Sequence, residues 1–137
     1  MQENKASANT AAGPVSRVIH WADMPVRKNA NGGESRDVVR GATATGDPVN
    51  VHATTQPAGM KPNPAHPIQH TEFICVEEGM LEVEHDGRVD RVEPGDVMMI
   101  AKGTVHQVRN AGDAPVRYFV VGIGGDAVGK PQAGAKA

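Results

Sequence analysis

Aromatic side chains are nearly missing from this chain, which has two Phe, one Tyr and one Trp among 137 residues. Proteins that grip single-stranded nucleic acid stack bases on aromatic rings, and Trp21, Phe73, Tyr118 and Phe119 are too few for that. An excess of either charge is missing as well. The net charge is −2, acids and bases are interspersed, and there is no Lys/Arg block, so nucleic acid is not expected as a partner. The longest apolar run, Val97 to Ala101, is far short of the ~20 residues that a bilayer-crossing helix needs, so no membrane partner is expected. A single cysteine, Cys75, excludes an internal disulfide framework. It sits in the apolar stretch FICV and reads as a packed small hydrophobe rather than a nucleophile. No cationic start followed by an apolar stretch is present, so no signal peptide is expected. The compartment stays open between the cytoplasm and export with a leader already removed.

Glycine (16) and proline (10), by contrast, punctuate the chain every few residues, which suits short strands and tight turns and leaves little room for helices. Strands are expected at Val15–His20, Arg36–Arg40, Val49–Thr55, Glu72–Glu77, Met80–His85, Arg88–Glu93, Asp96–Ile100, His106–Asn110 and Val116–Val121. Asp86-Gly87, between LEVEH and RVDRV, is a strong hairpin signal, because a type I′ turn requires positive φ at both central residues. Closely spaced strands of this kind imply an all-β sandwich or barrel. Residues 1–14 and 124–137 hold few apolar side chains and no periodicity, so both ends are expected to be flexible tails around one domain spanning 15–123.

Six histidines are present, and three of them have informative neighbours. His66, His70 and Glu72 fall just before the apolar strand FICVEEGMLEV, and His106 follows a second apolar strand and a glycine turn. Imidazoles with one carboxylate make a common open metal site. Parity places Glu72 on one face of its strand with Ile74 and Val76, and a carboxylate buried beside aliphatic side chains needs a partner, which a metal ion would supply. On a straight strand the Cα atoms of His66 and Glu72 would lie about 20 Å apart, so the segment must bend; Pro64 and Pro67 allow that. His20 and His52 show no partner in the sequence and read as surface or satisfied residues. His85 adjoins the hairpin turn and reads as solvated, and Met98 and Met99 read as core filler.

The stretch from His66 to Gly79 resembles the first motif of the cupin superfamily, G-x5-H-x-H-x3–4-E-x6-G. Here His66 and Glu72 stand at the first histidine and the glutamate, and Gly59 lies one residue farther from His66 than the pattern asks. The second motif, G-x5-P-x-G-x2-H-x3-N, is matched by Gly95, Gly103, His106 and Asn110, with Ala101 in place of the proline. The resemblance covers roughly residues 35–123 and implies a single jelly-roll β-barrel binding one divalent transition metal ion (Mn, Fe, Zn, Ni or Cu).

One departure is notable. The second histidine of the motif falls on Ile68, leaving His70 two residues on as the substitute ligand. His70 has three readings: a ligand in place of the missing histidine, a residue supporting the ligands from behind, or an ordinary loop residue. The implied metal set is His66, His70, Glu72 and His106, with Ile68, Ile74 and Val76 walling a substrate pocket. The implied function is a metal-dependent enzyme, an oxygenase or a lyase/isomerase, acting on a small organic molecule. The rival is a sensor or carrier that kept the barrel and lost full metal coordination. The resemblance also implies a homodimer, with Val15–His20 as a candidate for exchange across its interface.

Overall fold

The computed structural model describes residues 10–129, and all of its regular elements are strands apart from one 3₁₀ turn at Trp21–Asp23. The strands are β1 (Ala11–Gly13), β2 (Val26–Lys28), β3 (Glu34–Thr43), β4 (Pro48–Gln56), β5 (Thr71–Glu78), β6 (Leu81–His85), β7 (Arg88–Val92), β8 (Val97–Ile100), β9 (His106–Asn110) and β10 (Val116–Ile123). Seven form one sheet, in the order β1-β3-β4-β10-β5-β8 with β2 pairing β3, and three form a second, in the order β7-β6-β9. No helix among the described residues is long and apolar enough to cross a membrane.

Alternation along the strands builds the core between the two sheets. From the larger sheet come Ile74, Val76, Ile100, Val116, Tyr118 and Val120; from the smaller come Leu81, Val83 and Val92, and Ile68 joins them from the loop before β5. These side chains are buried on both sides, and Leu81, Val83 and Val116 are 0% exposed. The β6–β7 hairpin closes on Asp86 at φ 51° and Gly87 at φ 78°, the two positive dihedrals its sequence anticipates. The outer face of the larger sheet is also apolar. Met99, Phe73 and Val121 lie in register across β8, β5 and β10, and Trp21 packs edge-on against Phe119 beneath the guanidinium of Arg36. Cys75 lies on this face opposite Phe119, partly buried, and Met99 is exposed there rather than in the core.

The chain departs from the sequence expectations at its ends. Val15–His20 forms no strand: Val15 is 67% and Val18 76% exposed, so the apolar residues that suggested a strand have no surface to pack against. The N-terminal strand is instead Ala11–Gly13, which pairs parallel with β3. At the other end, residues 124–129 turn back onto the barrel: Gly124 N–H donates to Pro48 O, Asp126 N–H to Gln69 O, and the Asn50 amide to Ala127 O. The remaining parts of the expected tails, 1–9 and 130–137, lie outside the described residues.

Candidate metal centre

The segment between β4 and β5 does bend. His66 forms an isolated antiparallel bridge with His106 at the start of β9, through His66 N–H to His106 O (3.0 Å) and His106 N–H to His66 O (3.1 Å). Two residues 40 apart in the chain are thereby fixed side by side, with ring centroids 4.9 Å apart. Glu72 enters from β5, in register with Gly122 of β10 and Ile100 of β8. All three, His66, Glu72 and His106, line one cavity of about 230 Å³.

The hydrogen bonds at the far side of each ring fix the protonation pattern. Carbonyl oxygens only accept, so the His66 Nδ1–H donates to Pro64 O at 3.1 Å and the His106 Nδ1–H to Thr104 O at 3.0 Å. In the neutral rings this leaves both Nε2 lone pairs unprotonated, the tautomer in which histidine ligates a metal. His106 Nε2 lies 3.8 Å from Glu72 Oε1. Two imidazole nitrogens and one carboxylate oxygen are a donor set that suits a borderline transition metal ion. Among the described residues no three His, Cys, Asp or Glu side chains are grouped so as to hold a metal ion. The fit is therefore one of donor chemistry and of a shared cavity.

His70 stands apart from this pair. Its Nδ1–H donates to Asp126 Oδ1 at 2.7 Å and its Nε2–H to Glu72 Oε2 at 3.2 Å. Burial lowers the pKa of this ring, but the hydrogen bonds to Asp126 and Glu72 together outweigh burial and hold it above the ordinary imidazole value. The same bond from His70 holds the Asp126 carboxyl below its usual range. Both nitrogens of His70 thus face carboxylates, Asp126 on one side and Glu72 on the other. Of the three expected pocket residues, Ile74 lines the cavity, while Ile68 and Val76 are buried in the core cluster instead.

Other residues of the cavity were not anticipated. His52 on β4 lines it, and burial lowers its pKa more than the nearby Glu72 raises it, so the ring is held neutral. Tyr118 and Gln56 line it too. The Gln56 amide donates to the Tyr118 hydroxyl at 2.8 Å, and burial, then the Glu72 charge, push that phenol well above its ordinary value. The Gln56 carbonyl oxygen is buried without a hydrogen-bond partner. Parity along β4 places His52 and Gln56 on one face, but only the pairing of β4 with β10 turns that face inward. His85, expected in solvent, is buried, with Nε2 on Asp90 (2.6 Å) and Nδ1 on Asp86 (3.0 Å). It alternates with Leu81 and Val83 on the inner face of β6.

A family model, the Cupin domain, matches residues 51–122. The chain belongs to the cupin family. Solved structures agree on the fold. An RmlC-like cupin from Shewanella frigidimarina superposes at TM-score 0.66 with 12% identity, over 81% of this chain and 93% of that one. A sugar phosphate isomerase of the cupin superfamily from Silicibacter pomeroyi does so at 0.65 with 20% identity, over 80% and 77%. A DMSP lyase from Ruegeria pomeroyi reaches 0.50 with 26% identity, over 56% of this chain and 38% of that one. No curated protein matches.

Proposed function

We propose that this cupin is a metal-dependent enzyme of the lyase/isomerase type, acting on a small organic molecule in the barrel, with His66, Glu72 and His106 as the metal-holding residues. The observation that carries the reading is the pair of Nδ1–H bonds to Pro64 O and Thr104 O, which leave the Nε2 lone pairs unprotonated on two rings that line one cavity with Glu72. A bound divalent ion would supply Lewis-acid polarisation of a substrate oxygen. The remaining work belongs to the chain. His52, held neutral by burial, is placed to accept a proton, and the Tyr118 hydroxyl, kept protonated, to donate a hydrogen bond. Ile74 and Val120 present apolar wall. The DMSP lyase, 26% identical over 56% of this chain and 38% of that one, supports the lyase reading.

A second reading, a cupin that binds small molecules without metal, draws on the engagement of both His70 nitrogens by carboxylates and on the absence, among the described residues, of three His, Cys, Asp or Glu side chains grouped to hold an ion. Elemental analysis of the purified protein, followed by calorimetric titration with Mn²⁺, Fe²⁺, Zn²⁺, Ni²⁺ and Cu²⁺, separates the two. The enzyme reading expects about one equivalent of one of these ions per chain, abolished in His106→Ala. Absence of binding even after reconstitution sinks it.

A further inference from the structure

We propose that Asp126, acting through His70, is a positioning residue for Glu72. The proposal rests on the metal-holding role given to Glu72 above, and it adds to the site a residue from the far end of the chain. His70 spans the two carboxylates, with 2.7 Å to Asp126 and 3.2 Å to Glu72. A carboxylate with one oxygen held by an N–H donor cannot rotate freely, so Glu72 Oε2 is anchored and Oε1 is left toward His106.

The surrounding backbone is shaped to hold the ring in that place. A Cβ on Gly122, the residue in register with Glu72, would sit 3.2 Å from His70 Cδ2, so the missing side chain is the space the ring occupies. Gly125, at φ +44°, passes so close to the preceding loop that a Cβ would fall 1.8 Å from Gln69 O. That approach lets Asp126 N–H reach Gln69 O and brings the Asp126 carboxylate to His70 Nδ1. A packing role alone would need neither the carboxylate nor the two-ended ring.

The test uses the full chain with Co²⁺, whose visible spectrum reports ligand geometry, and four variants: Asp126→Ala, Asp126→Asn, Glu72→Gln and the double variant Asp126→Ala with Glu72→Gln. Asp126→Ala is expected to weaken Co²⁺ binding about 10- to 100-fold and to alter its spectrum. Asp126→Asn keeps an acceptor for the Nδ1–H and is expected to restore most of the affinity. Equal affinity for Co²⁺ in Asp126→Ala and the parent overturns the proposal, and so does failure of Asp126→Asn to rescue. If the parent itself binds no Co²⁺, the metal reading of the previous subsection falls, and the metal-free protein decides this one. The urea midpoints of Asp126→Ala, Glu72→Gln and the double variant should then be non-additive, because the two carboxylates share one ring. Additive shifts would refute the link.

Discussion

His85 and His70 show one residue type put to related use in two places. Each ring lies between two carboxylates, but the partners of His85, Asp86 and Asp90, are 67% and 50% exposed, and His85 lies in register with His106 of β9 rather than against Glu72. The hydrogen bond to Asp90, then that to Asp86, raise the His85 pKa against the opposing effect of burial. A raised folded-state pKa stabilises the protein fully below the ordinary imidazole value of about 6.5, and the stabilisation fades as pH rises through the higher one. The stability difference between the parent and His85→Gln should therefore be greater at about pH 6 than at about pH 9, and smaller at high salt because the acids are exposed. Urea midpoints at the two pH values check this; a difference that grows with pH contradicts it. The burial of His85 was legible, since Leu81, Val83 and His85 alternate on one strand. The adjacent turn drew the reading toward solvent.

At the scale of elements, the turn at 124–129 was the least legible part of the chain. Its residues carry no apolar periodicity, and its order comes from groups that sequence inspection cannot assign to it: Pro48 O, Gln69 O, Asn50 and the Arg40 guanidinium on Val128 O. Gly125→Ala tests how far the element depends on one close approach. A Cβ there meets a backbone oxygen that cannot move aside cheaply, so the turn should detach while the strands persist. Faster hydrogen exchange at the amides of residues 124–129, with a stability loss of about 1–3 kcal/mol, is the expected result. Unchanged exchange at those amides would show that the turn tolerates the shift. The strands themselves were easier to read, because the hairpin at Asp86-Gly87 and the glycine-marked turns fixed most boundaries to within two residues. Val15–His20 forms no strand because Val15 and Val18 find no sheet to pack against and stay exposed.

For the molecule as a whole, the core between the two sheets sets the scale of stability. Leu81 is fully buried at the start of β6 and packs in the cluster shared by both sheets. Leu81→Ala should cost about 2–5 kcal/mol, through lost transfer energy and the cavity left behind. Chemical denaturation with an unchanged urea slope is the check; a loss under about 1 kcal/mol would mean that the sheets close over the gap. Part of the cavity lining could be read from the sequence at this scale, since two spaced motifs contain His66, Glu72 and His106, which the fold brings to one cavity. Asp126 and His52 could not be read, because sequence spacing says nothing about which strand faces bound a shared cavity.

The His70 sandwich also decides the electrostatic character of the barrel. One His70 imidazolium stands between two carboxylates, Asp126 and Glu72, and the neutral His52 adds no charge, so the ionised set carries a net negative charge in a confined space. Such an interior concentrates cations from solution and turns away anions. In the absence of a bound cation, an acidic ligand should be repelled from the barrel, and neutral or positively charged molecules should enter more readily.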